Sequence, residues 1–133
     1  MAHRRIRPAP PFAFDLTLGS FASFAAPGPG GVERYASGLF ERLLRVRERL
    51  YLARLRDTGA VKAPEVALAI RPEPSAGDAG ELERTCAWMM AAELDVTPLY
   101  ELAAGDRSLS AVLLRLRGMR EPRTPDAFEA LIT

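Results

Sequence analysis

Residues 39–71, LFERLLRVRERLYLARLRDTGAVKAPEVALAIR, decide the fold. The segments LFERLLRV, RLYLARLRD and PEVALAIR within them are rich in Leu, Val, Ile, Phe and Tyr, are about as long as ordinary strands, and each stop at a turn signal. Arg47-Glu48 reads as one tight turn and Asp57-Thr58-Gly59 as the other, with Gly59 placed to take a positive φ. Pro64 has no backbone donor and fits the mouth of the third strand better than its middle. An antiparallel meander follows.

Alternation along the meander shows how its faces are used. Val66, Leu68 and Ile70 share one face, with Ala67, Ala69 and Arg71 on the other. Tyr51, Ala53 and Leu55 share a face of the middle strand, while Leu50 and Leu52 share the opposite one with Arg54 and Arg56. The adjacent Leu43 and Leu44 break strict alternation and imply a bulge or partial cover on both faces. A sheet with one apolar face needs a helix to bury it. The run after residue 77 supplies one: Leu82, Cys86, Met89, Met90 and Leu94 recur at helical spacing, Asp78 is placed as its cap, and Glu81 and Glu83 complement the helix dipole.

At 133 residues, 48% hydrophobic and 26% charged, the chain has the composition of a soluble globular domain. No apolar run approaches the roughly 20 residues of a membrane span. The lone Cys86 forms no internal disulfide, which suits a reducing cytoplasm, and the basic N-terminus lacks the apolar stretch of a secretion signal. One His and one Cys are too few for a metal site, and Cys86 has no activating base nearby in sequence. Net charge is only +1, but residues 1–72 hold 12 Lys and Arg against 6 Asp and Glu, whereas residues 73–133 hold 6 against 11. The sheet half is therefore basic. Its arginines suit a phosphate backbone, or equally serve as solvated guards against edge pairing.

The remaining segments are read in order. Residues 3–11 carry three arginines and three prolines and read as a loose or extended arm. Residues 12–18, FAFDLTL, alternate Phe12, Phe14, Leu16 and Leu18 against Ala13, Asp15 and Thr17, the pattern of a fourth strand. Phe21 and Phe24 follow, three apart, and residues 27–31 are a Pro/Gly break without the Lys-Ser/Thr ending of a phosphate loop. Thr97-Pro98 starts a second helix that ends near Gly105. Asp106 or Ser108 opens a third, carrying Leu109, Val112, Leu113 and Leu116 to a stop at Gly118 amid Arg115, Arg117, Arg120 and Arg123. Thr124-Pro125 opens another helix, with Phe128, Leu131 and Ile132 on one face.

This order of segments, RPAPPFAFDLTL at 7–18, the meander, ELERTCAWMMAAELDVTPLYELAAGDRSLSAVLLRLRGMR at 81–120 and PRTPDAFEALIT at 122–133, resembles the front of a DNA-3-methyladenine glycosylase II of the helix-hairpin-helix superfamily. Its most specific piece is the helix start at 124–129, preceded by a hinge at 95–100. The resemblance implies an α+β fold. A small antiparallel sheet covered by a helix, similar to half of the TATA-binding protein, is followed by the first helices of an all-α domain. The expected layout is a basic Pro-rich arm over 1–11, the sheet domain over 12–96, and the start of a helical domain over 97–133 that stops short.

In function the resemblance implies base-excision repair of alkylated bases, in which the damaged base is taken out of the stack to expose its glycosidic bond. Carried over, Phe21 and Phe24 become candidates for the edge of the base pocket. Arg45, Arg54, Arg56, Arg115 and Arg117 become candidate DNA-backbone contacts. The family's Leu-Pro-Gly-Ile-Gly type of hairpin is absent, and 117–120 does not replace it. Asp95, Asp106 and Asp126 read as caps or turn residues, so no catalytic residue is assigned. The expectation is a chain inactive alone, needing no cofactor, meeting duplex DNA through the parent enzyme, and open to self-association or a partner chain through Phe128, Leu131 and Ile132. The alternative is a stand-alone nucleic-acid- or protein-binding module.

Overall fold

A computed structural model describes residues 2–23 and 33–125, with the side chains of residues 2 and 21–23 left out. The meander forms as its turns require. β3 (Leu39–Val46) and β4 (Arg49–Asp57) are joined by a two-residue turn in which Arg47 adopts φ 57°, and β4 pairs antiparallel with β5 (Val66–Arg71). Its register is regular, with Leu43 opposite Leu52 and Leu44 opposite Tyr51. No bulge is needed: Leu44 points into the core and Leu43 is simply exposed. Gly59 is required for a different reason from the one its sequence context implies. Its φ is not positive, but an added Cβ would lie 2.3 Å from the backbone nitrogen of Glu65.

Two further strands complete a five-stranded antiparallel sheet of order β1-β5-β4-β3-β2 among the described residues. β2 (Glu33–Ala36) pairs with β3, and β1 (Ala2–Ile6) pairs with β5. The expected loose arm is therefore an edge strand over its first half. Ile6 and Pro8 are buried, Arg4 donates to Glu83 at 2.6 Å, and Arg5 and Arg7 each lie 3.5 Å from Glu65, so carboxylates elsewhere hold what its own polarity would not. Arginines and a nearby proline also blunt the edge against further pairing.

The strand expected over 12–18 is instead the start of helix α1 (Phe14–Ser23). Thr17 decides the matter. It is fully buried beside Phe14 and Leu18, an i, i+3, i+4 face, whereas Leu16 faces outward. Asp15, in the first turn, accepts from Tyr35 Oη at 2.5 Å and from the Gly38 amide at 2.9 Å, tying α1 to the β2–β3 turn.

Helix α2 (Ala76–Met89) covers the sheet as expected, with Leu82, Cys86 and Met89 packed against Tyr51, Leu55, Leu68 and Ile70 in one core, but Leu94, read onto the same stripe, lies past the helix end and is exposed. Its cap is Ser75, which accepts from the Asp78 amide at 3.2 Å, and not Asp78. Asp78 is buried one turn in, where it accepts from Tyr51 Oη at 2.6 Å and from Arg47, fastening the helix start to the β3–β4 hairpin. Helix α3 (Thr97–Ala103) begins one residue earlier than its Pro signal implies, with Asp95 accepting from the Thr97 amide. Helix α4 (Arg107–Arg115) is capped by Asp106, which settles the choice between Asp106 and Ser108 that the sequence leaves open. The segment after α4 then turns at Gly118 and runs back across the core. The amides of Ala13 and Gly118, the Thr17 hydroxyl and the Met89 carbonyl all bond along it.

Candidate nucleic-acid interface

The outward face of the sheet follows from period-two alternation. Burying Phe40, Leu44 and Val46 on β3, Tyr51, Ala53 and Leu55 on β4, and Val66, Leu68 and Ile70 on β5 sends every second residue to the opposite side. The register then lines these residues up across strands. Arg5, Ala67, Arg56 and Leu39 form one rung; His3, Ala69, Arg54, Glu41 and Arg34 form the next. Arg71, Leu52 and Leu43 follow, then Leu50 opposite Arg45. Helices α1 and α2 lie against the other face, and no described helix covers this one.

The charge on this face is one-sided. Arg34, Arg45, Arg56 and Arg71 are exposed, and no described carboxylate pairs with them. Arg54 is partly neutralised: its Nε lies 3.2 Å from Glu41 Oε2, an ion pair without the alignment of a hydrogen bond. Arg5 is loosely held by Glu65 and its side chain stays 69% exposed. Between Arg5 and His3 on one side and Arg56 and Arg54 on the other, the small Ala67 and Ala69 leave a trough along β5.

Of the residues singled out from sequence, Arg45, Arg54 and Arg56 thus come together on one face. Arg115 and Arg117 do not join them: they close α4, where the Arg117 guanidinium sits 5.7 Å from the Tyr100 ring centroid. Phe21 lies in the last turn of α1 with its side chain undescribed, and Phe24, Phe128, Leu131 and Ile132 lie outside the described residues. Sequence reasoning missed Arg5 and Arg34 and gave Arg71 no role. The parity of β5 already put Arg71 opposite the core, but Arg5 needed the β1–β5 pairing to be known.

Other groups that could carry chemistry are spoken for. Asp78 is sealed under Tyr51 and Arg47, and its hydrogen bond holds the Tyr51 phenol above its ordinary pKa. Burial pushes the Cys86 thiol up to about 12, so it stays protonated and inert at neutral pH. Among the described residues no cluster of three His, Cys, Asp or Glu could hold a metal ion. An open cleft of about 520 Å³ lies between α2 and the tail, with Trp88, Leu94, Pro122 and Arg123 in its lining. Arg123 stacks over Trp88 at 5.4 Å and donates to Glu93 at 2.6 Å, which holds that carboxyl below its usual range. The charged groups in the cleft lining are Glu121 and Arg123.

No family model and no curated protein matches the sequence. Among solved structures, the fold is similar to that of a 3-methyladenine DNA-glycosylase from Archaeoglobus fulgidus, at 16% identity and a TM-score of 0.63. The alignment covers 86% of this chain and 36% of that chain, so the chain spans well under half the length of its solved counterpart. At that level of identity the likeness is one of fold: the chain shares its α+β architecture with one part of a 3-methyladenine DNA glycosylase.

Proposed function

We propose that this chain is the sheet-bearing front portion of a base-excision-repair DNA glycosylase that removes alkylated bases such as 3-methyladenine. The observation that carries this reading is the likeness of fold to the Archaeoglobus fulgidus enzyme over 86% of the chain. A second observation supports it. Helices α3 and α4 turn Leu99, Leu102, Leu109, Val112 and Leu114 to the surface, and α4 buries no residue at all. Such a face fits a continuing helical portion that would supply the catalytic residues and the grip on DNA. A reducing cytoplasm, in which Cys86 remains a thiol, suits this reading.

The test is to determine the source DNA beyond the Thr133 codon, express the longest continuous frame, and incubate it with methylated DNA. Release of 3-methyladenine by the longer chain, with none from the 133 residues alone, is the expected outcome. A longer chain that releases no alkylated base sinks the reading. The competing reading is a stand-alone binding module, favoured by the fact that the sheet, α1 and α2 close a core of their own. It gains ground if no longer frame exists.

A further inference from the structure

The trough along β5 lies on a face that no described element covers, and its chemistry selects what can occupy it. Arg5 and Arg56 stand on either side of Ala67 in one rung, two strands apart, hence about 9.6 Å between backbones at the usual strand spacing. His3 and Arg54 flank Ala69 in the next rung, and Arg71 stands at the end of β5 itself. The floor is methyl groups and the walls are guanidinium groups and the His3 imidazole. Among the described residues Glu41 and Glu65 are the carboxylates on this face: Glu41, between Arg54 and Arg34, is engaged with Arg54, and Glu65, at the start of β5, with Arg5 and Arg7. An apolar partner would leave the exposed guanidinium groups of Arg56 and Arg71 desolvated and unpaired, which is costly. A chain of regularly spaced anions would pair with them and release its own counterions.

The geometry points to the open sheet face as a second DNA contact, with the sugar–phosphate backbone of duplex DNA running along β5 between the arginines of β1 and β4. The choice of DNA among polyanions rests on the glycosylase reading above; the anionic, repeating character of the partner rests on the face itself. The contact is independent of base sequence, since the charges meet phosphates and nothing on the trough floor can read base edges. It would hold the protein on undamaged DNA while another part of the molecule examines bases. Arg34 and Arg45, on β2 and β3, extend the same positive surface beyond the trough.

The experiment uses the 133-residue chain and a fluorescein-labelled, lesion-free duplex, with binding followed by anisotropy as salt is raised from about 50 to 200 mM. The chain is expected to bind at low salt with a steep dependence on salt. Changing Arg5, Arg56 and Arg71 together to Ala should flatten the slope of log K against log salt by about 3, close to one unit per lost phosphate contact. Replacing the same three with Lys should restore most of it. Glu41→Gln should tighten binding by releasing Arg54. Arg115→Ala with Arg117→Ala, at the end of α4, should leave the slope unchanged.

The proposal is overturned by no binding at low salt, by an unaltered slope in the β5-trough variant, or by loss of the slope in the α4 variant instead. Poly-glutamate competing as well as DNA at equal charge also overturns it, in favour of an acidic protein partner. These side chains are exposed, so circular dichroism should report an unchanged fold throughout. Base release by the longer chain is a separate readout: the face can fail while the glycosylase reading stands, and the reverse.

Discussion

The sheet with α1 and α2, and the pair α3–α4, are built from equally apolar sequence and use it in opposite ways. In the first region the apolar stripes meet. Leu82, Cys86 and Met89 of α2 close over Tyr51, Leu55, Leu68 and Ile70, all at or near zero exposure. In the second, Leu102 is 81% exposed and Leu114 72%, and Ala103 is the one residue of the two helices that is buried. An amphipathic pattern states which side of a helix seeks cover; it does not state that cover is present. What holds α3–α4 in place is polar: the Tyr100 hydroxyl accepting from the Gly118 amide at 2.8 Å, and Arg120 beyond it.

That contrast can be broken most directly in the core. Leu68→Ala should cost about 3–5 kcal/mol, because a fully buried leucine in a packed layer leaves a cavity. Leu102→Ala should change stability by less than about 0.5 kcal/mol. Urea unfolding of the two variants decides it, and equal losses would show that α3 is packed after all.

Arg120 is the next largest lever. It is 3% exposed, donates to the carbonyls of Ala91, Ala9 and Pro11, and lies 5.4 Å from the Phe12 ring centroid. Burial lowers its pKa from the ordinary arginine value, yet its fork is the group that joins the tail, α2 and the residues before α1. Arg120→Ala should cost about 3 kcal/mol by stranding buried carbonyls. Arg120→Lys should recover little, since one ammonium on a flexible stem cannot reproduce the planar fork. Arg45→Ala, on the open face, should be nearly silent in the same unfolding assay.

Gly118 is a smaller lever on the same joint. Its φ is +83°, and an added Cβ would lie 2.6 Å from the Ala13 backbone nitrogen. Gly118→Ala should destabilise by about 2 kcal/mol, with hydrogen exchange rising first along 117–123.

A weaker effect, confined to the covered region, comes with alkali. Cys86 is raised to about 12 by burial, and Tyr35 is raised to about 12 by burial and by Asp15. Both groups are neutral when protonated and keep their protons longer folded than unfolded. The stability they contribute is therefore fully present below the unfolded values, near 8.5 and 10. It is lost as pH climbs toward 12. The melting temperature should hold from pH 7 to 8 and fall above 9. Cys86→Ser should remove part of that fall, and a slope unchanged in that variant would assign it elsewhere. Thiol-reactive dye should label Cys86 at pH 8 only as fast as the core opens.

The smallest effect sharpens the comparison from the other side. Asp106→Ala removes the cap of α4, worth about 1 kcal/mol to that helix. Because α4 lends nothing to the core, amide exchange within Arg107–Arg115 should quicken while global unfolding by urea stays put.

Local signals were enough for the meander, the α2 stripe, the Asp106 cap and the stop at Gly118, since each depends on residues within a few positions of one another. The same parity put Arg54 and Arg56 on one face, and the regular β3–β4 register added Arg45 to it. Distant partners decided the rest. Residues 2–6 are a strand because β5 offers an unpaired edge and Glu83 and Glu65 receive the arginines. FAFDLTL alternates like a strand, but the burial of Thr17, whose hydroxyl accepts from the Arg120 amide 103 positions away, makes it helical. Of the arginines around Gly118, Arg115 stays in solvent, Arg117 and Arg123 stack on rings and Arg120 is buried, though nothing in their spacing distinguishes them. Charge and periodicity are properties of a segment read alone; burial, and with it the fate of a charge, belongs to whatever the rest of the chain brings against it.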